Sequence, residues 1–228
     1  MDRLDRSHLT GGGTGRSDAG AAVEWLPPAP PGGREGDGGD DASSWPPLSN
    51  ARLGTWMLLA TETMFFGGMV GAFLVLRLSA GVWPPPSQPR LPVAVTAVNT
   101  AVLLLSSYAL ARALHAVRRD DRRRLASWLA LTAVLGALFL AVQGGEWVRL
   151  VRFGLTVSSG AYGGTFYTLI GTHAVHVLAA LIWLTLVTWA AMRGRYTARD
   201  HVGVAVCAMY WHFVVALWPM LYLLVYLA

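Results

Sequence analysis

Five stretches of this chain are each long and apolar enough to cross a lipid bilayer, and that feature removes most folds from consideration. They run over 53–78, 93–116, 125–148, 164–192 and 202–227. A hydrocarbon core of about 30 Å takes roughly 20 apolar residues in a helix. In lipid only helices and closed barrels satisfy every backbone N–H and C=O, and these runs are too long and continuous for barrel strands. The expected architecture is all-α, an integral membrane bundle of five transmembrane helices.

Composition agrees. Charged residues make up 14% of the 228 and apolar residues 54%, where a soluble domain carries about 25% charged. The charges that are present sit mostly in the first 52 residues and in short runs between the apolar stretches. Residues 1–50 hold Gly, Pro, Asp, Arg and Ser with no apolar core of a secretory signal. Such a segment buries too little apolar area to offset its chain entropy, so it reads as a disordered cytoplasmic tail that orders near Trp45 where it meets the membrane. All 18 basic residues are arginine, and they gather at the ends of the apolar stretches. A membrane topology accounts for that placement, and nucleic acid is excluded as a partner. The lone Cys207 lies inside an apolar stretch, where it forms no internal disulfide.

The arginines set the orientation. The tail and the second and fourth connections hold fourteen, and the first and third connections hold four. An excess of arginine marks the cytoplasmic side, so the expected topology has the N-terminus in the cytoplasm and the C-terminus outside. The first connection carries Trp83-Pro84-Pro85-Pro86, a rigid turn with an interfacial tryptophan, and the second is a short charged hairpin around Asp120 and Asp121.

Two carboxylates lie within the spans, Glu62 near mid-membrane and Glu146 near the outer end of the third. Intramembrane ionisable groups face the bundle interior and often mark function. His173 and His176 stand three apart on one face of the fourth helix, and His212 lies near the middle of the fifth. Two readings are open. These histidines with Glu62 form a metal or haem site, His176 and His212 being castable as axial ligands; or each side chain hydrogen-bonds across a helix interface and fixes packing. The packing reading is favoured, since transition-metal sites need three or four converging ligands and a binuclear copper centre needs two cysteines. No metal is therefore expected in this chain. Glu62 is a candidate proton-exchanging carboxyl or a hydrogen-bond donor to a neighbouring helix. Gly67 and Gly71 form a Gly-x-x-x-Gly pair, a face suited to close helix packing, and Pro219 after Trp218 should kink the fifth helix or open its backbone ladder.

Six blocks, taken in order, resemble subunit III of cytochrome c oxidase and its quinol-oxidase relatives. Leu59 through Gly68 resembles the helix with a glutamate before two phenylalanines, and Asn99-Thr100 through Ser107 resembles the Asn-Thr-x-x-Leu-Leu segment. Gln143-Gly144-Gly145-Glu146-Trp147 is similar to a Gln-x-x-Glu-aromatic ending. Tyr162 to Phe166, the block Gly171-Thr172-His173-Ala174-Val175-His176-Val177, and Tyr210-Trp211-His212-Phe213-Val214 complete the series. Two departures stand out. Many members have two further helices before these, which enclose a lipid-filled cleft, and members usually have Asp where this chain has Val215.

The resemblance implies a non-catalytic subunit of a proton-translocating haem–copper oxidase of the cytochrome c or quinol type, in a bacterial cytoplasmic (inner) membrane. It implies no redox cofactor in this chain, haem and copper in partner subunits, contact with subunit I and also subunit II, bound phospholipid, and a role in sustained proton uptake. An accessory subunit of a nitric oxide reductase shares the blocks. An independent haem-binding cytochrome using the three histidines is a separate class, as is a small transporter, which lacks support because broken-helix pairs are missing.

Overall fold

A computed structural model describes residues 50–83, 85 and 93–227. The chain divides into Met1–Ser44, which lies outside the described residues together with the expected tail and Trp45, and Trp45–Ala228. In the second unit the described residues form five α-helices joined by turns: α1 Asn50–Ser79, α2 Val93–Arg118, α3 Arg122–Arg152, α4 Ala161–Met192 and α5 Val202–Tyr222. Each is long and apolar enough to cross a membrane, taking α5 together with the turn that follows it. The helices overrun the expected spans by a few residues because their polar ends continue the hydrogen-bond ladder into the interface.

The helix ends follow from local chemistry. Asp121 caps α3, its carboxylate accepting the Arg124 N–H at 3.0 Å. The hairpin before it is tight enough that Asp120 adopts φ 56°. Between α3 and α4 the chain reverses through Gly154 and Gly160, both at positive φ. Pro219 has no N–H to offer the carbonyl one turn back. The helix continues past it, then relaxes into a π-helical turn over Leu223–Leu227. Trp83, from the first connection, packs edge-on against Phe73 of α1 and Tyr162 of α4, so the expected interfacial tryptophan also ties these two helices.

The bundle is organised around α5, which touches α1, α2 and α4, while α3 packs on α2 and α4. Eleven of the 21 residues of α5 are buried. In α1, the buried residues are Thr55, Leu59, Phe66 and Phe73, four in a 30-residue helix. Their spacing puts them on one narrow stripe, and the rest of α1 faces outward. Gly67 and Gly71 are on that outward side, with nothing within 4 Å of a Cβ built on either. Among the described residues their face is open.

Apolar side chains gain little by leaving lipid for one another, so membrane helices associate through close packing and hydrogen bonds. Both occur along the antiparallel α2–α5 seam. The Trp211 indole N–H donates to Ser106 Oγ at 3.1 Å, and that of Trp218 donates to Thr100 Oγ1 at 2.9 Å. Each hydroxyl passes its own proton to a carbonyl of α2, Leu103 at 2.6 Å and Thr96 at 2.7 Å, so donors and acceptors are both used. Tyr222 extends the seam to the Val93 carbonyl at 3.1 Å. Across the third helix, Asn99 donates to the Phe139 carbonyl at 3.0 Å and Gln143 to the Tyr226 hydroxyl at 3.0 Å.

Close packing is sharpest at Gly136 of α3. A Cβ there would stand 2.5 Å from the Trp211 ring and 3.3 Å from Leu181. The ring is fully buried and tethered through its N–H, so it has little room to retreat. Gly136→Ala should therefore destabilise the folded subunit by about 1–3 kcal/mol, the usual range for overpacking. Combining it with Trp211→Phe should recover part of that loss, because the smaller ring vacates the contested space. Thermal unfolding of the four proteins of this double-mutant cycle reads the coupling; strictly additive losses would contradict the contact.

Candidate functional site

The intramembrane polar residues do not converge on one centre. They separate into four places. At the first, Glu62 of α1 meets His176 of α4, Oε2 to Nε2 at 3.0 Å, with both side chains about 18% exposed. The other ring nitrogen of His176, Nδ1, lies 2.7 Å from the Thr172 carbonyl one turn earlier. A carbonyl only accepts, so Nδ1 carries a proton. Nε2 then shares a single further proton with Glu62, either as carboxyl to imidazole or as imidazolium to carboxylate. In both arrangements the pair is neutral overall, which is what a low-dielectric site tolerates.

The phenylalanines that follow the glutamate in sequence enclose this pair. Phe66, 1% exposed, sets its ring edge-on to His176 at 5.1 Å and to His173 at 6.3 Å, and Phe65 covers the outer side of His176 at 6.2 Å. Helical geometry explains the grouping: Phe65 and Phe66 follow Glu62 by three and four residues, one turn along the same side of α1.

His173 occupies the second place. It is 1% exposed and stacks on Trp218 with ring centroids 5.2 Å apart. Neither of its nitrogens has a hydrogen-bond partner among the described residues. Its three-residue spacing from His176 puts the two on neighbouring ridges, and the tie to Glu62 belongs to His176. His212 is in the third place, on the α2–α5 seam, with Nδ1 2.6 Å from Ser107 Oγ. His176 and His212 are thus engaged by different helices. Among the described residues no group of three His, Cys, Asp or Glu is arranged to hold a metal.

Glu146 is the fourth. Its carboxylate accepts from Arg149 at 3.0 Å, within α3, at the end of the helix. It forms no cluster with Glu62. Val215, at the position usually held by Asp, is 2% exposed and packs in the core. Sequence reasoning missed the partners rather than the principals. Ser106, Ser107 and Thr100 receive the indoles and His212, and Arg77 donates to the Leu224 carbonyl of the π turn at 3.2 Å. The one available signal was that three hydroxyl residues recur on α2, in a segment already noted for its motif.

Comparison with known proteins identifies the family. The profile of the family described as Cytochrome c oxidase subunit III matches residues 47–228. A cytochrome c oxidase subunit 3 of Thermostichus vulcanus is 34% identical over 176 residues, 77% of this chain and 86% of the relative. That of Bacillus subtilis is 35% identical over 182 residues, 78% of this chain and 86% of the relative. The Bos taurus protein is 32% identical over 181 residues, 77% of this chain and 68% of its own length. With five spans, a matched profile over most of its length and relatives that agree with one another, this multi-pass membrane chain belongs to the cytochrome c oxidase subunit III family and is part of a haem–copper oxidase complex.

Proposed function

We propose that this chain is the non-catalytic third subunit of a respiratory haem–copper oxidase, which buttresses subunit I in contact with subunit II and supports proton uptake during turnover. The observation that carries the reading is the Glu62–His176 pair. It joins α1, the least buried helix, to α4 at mid-membrane and holds a shared proton, while the opposite side of α1 is left open among the described residues. Gly67, Gly68 and Gly71 on that open face suit the close approach of a partner helix. Haem and copper belong to the partner subunits in this reading, and phospholipid lines the interface. The five spans and the larger share of the bacterial relatives that is covered, 86% against 68% for cattle, support a bacterial cytoplasmic membrane.

Brace and proton are separable by substitution. Glu62→Gln keeps a donor for His176 Nε2 and removes the titratable proton. Glu62→Ala removes both, and losing a hydrogen bond to a charged or charge-sharing group costs about 1–3 kcal/mol. The Gln variant should assemble at near wild-type levels in the oxidase complex and show a shortened catalytic lifetime. The Ala variant should in addition lose the subunit more readily in detergent. Turnover, proton pumping and lifetime unchanged in the Gln complex would remove the proton role and leave packing alone.

The arginine distribution supports a cytoplasmic N-terminus and an external C-terminus. An alkaline phosphatase reporter, active only outside the cytoplasm, should therefore be active when fused after residue 228 and inactive when fused within the connection between α2 and α3. The reverse pattern refutes the orientation.

A further inference from the structure

The arginine-rich hairpin between α2 and α3 ends in a small notch that neither the packing of the bundle nor the Glu62 site uses. Arg112 and His115 line it from α2, Arg119 from the turn that follows, and Asp121, Arg124 and Trp128 from the cap and first turns of α3. The notch holds about 40 Å3 and opens outward. That is room for the oxygens of one phosphate, with whatever the phosphate is attached to remaining in the interface.

Its charge is not neutralised locally. Residues 112–124 hold six arginines and two aspartates, an excess of four positive charges. Both aspartates are committed. Asp121 caps α3 and pairs with Arg124 Nε at 3.3 Å, and Asp120 accepts the Ala198 N–H at 3.2 Å from the connection before α5. Arg112 has aromatic neighbours instead of a carboxylate. Its guanidinium lies 5.5 Å from the Trp128 ring centroid and 6.0 Å from that of Tyr108, whose hydroxyl accepts from Nη1 at 3.2 Å. Stacking of this kind orients the planar donor fork and leaves its charge available.

A topology signal alone does not require this arrangement, because arginines anywhere in the connection satisfy the charge bias. Arg112 lies six residues before the end of α2, about 9 Å back along the helix at 1.5 Å per residue. Trp128 lies at the matching depth of α3. A guanidinium and an indole held together one to two turns inside the helix ends sit at the level of lipid headgroups. Basic pockets between transmembrane helices bind anionic headgroups, and arginine forks match phosphate oxygens.

We propose that this notch is a binding site for an anionic phospholipid, its phosphate received by Arg112 and Arg119 while Trp128 flanks the headgroup. The site is separate from the open face of α1 and joins α2 to α3 at the arginine-rich end.

The test uses the intact oxidase complex in nanodiscs of mixed phosphatidylglycerol and phosphatidylcholine, with retained lipid counted by native mass spectrometry after release. The wild type should retain phosphatidylglycerol over phosphatidylcholine, and Arg112→Gln with Arg119→Gln should weaken that retention about tenfold, the loss of two charge-assisted contacts. Arg118→Gln with Arg123→Gln removes the same charge from residues that do not line the notch, and should leave retention unchanged. Millimolar inorganic phosphate should not displace the lipid. Equal retention in the Arg112–Arg119 variant, or equal loss in the control, overturns the proposal. So does displacement by inorganic phosphate, which assigns the notch to a free anion. Loss of a neighbouring subunit with lipid retention unchanged assigns it to an acidic protein segment and also overturns it.

Discussion

The structure depends on a constraint that water-soluble proteins do not face: an apolar helix gains almost nothing by leaving lipid for another apolar helix. What holds α5 at the centre is therefore the set of groups that lipid cannot satisfy. The indoles of Trp211 and Trp218 bring N–H donors to hydroxyls of α2 that have already given up their own protons to backbone carbonyls. Each such bond is worth only about 0.6 kcal/mol on average in a membrane protein. Their value lies in register. Two indoles seven residues apart on α5 meet Ser106 and Thr100, six apart on α2, and sliding one helix by a turn would leave both donors bare.

Packing and hydrogen bonding meet at one residue. Trp211 is fixed through its N–H on the α2 side, and its six-membered ring fills the space that Gly136 leaves on α3. The glycine is needed because the indole is anchored, and the anchor is useful because the glycine makes room. Three helices are thereby set relative to one another by a single side chain, with α4 closing the same space through Leu181. The same economy recurs at the C-terminal end of the fifth span, where Gln143 of α3 reaches Tyr226 of the π turn and Arg77 of α1 reaches Leu224 of it. A helix end that changes its hydrogen-bond period after Pro219 thus becomes a junction for two others.

The five spans were legible because hydropathy over some 20 residues is a local property, and no partner is needed to read it. Glu62 and His176 were legible as candidates for the same reason, each being costly to keep in lipid. That they are partners was not, since 114 positions separate them and nothing in the spacing of either helix encodes the other's rotation. The three-residue interval of His173 and His176 suggested a shared role, yet the fold divides them: one turns toward Glu62 and the other stacks on Trp218. An interval of three is about 60° short of a full turn, enough to aim two neighbours at different helices. The Gly67–Gly71 pair had the opposite outcome. Its face was legible, and among the described residues nothing packs against it.

The proton arithmetic at Glu62 limits what the pair can do. With Nδ1 of His176 committed to the Thr172 carbonyl, one proton is shared between Nε2 and the carboxyl, and the total charge is zero. Adding a proton makes the pair a cation, and removing one makes it an anion. Either state is costly beside Phe65 and Phe66 in a medium of low dielectric. The neutral pair is therefore the arrangement such a site favours. Conduction would need a second group that takes charge up as the pair gives it away, and His173, enclosed against Phe66 and Trp218, is not hydrogen-bonded to it. The pair is, however, about one-fifth exposed on the flank of the least buried helix. A polar group of another subunit seated there would supply such a member, and proton exchange through the pair would then take place at an interface.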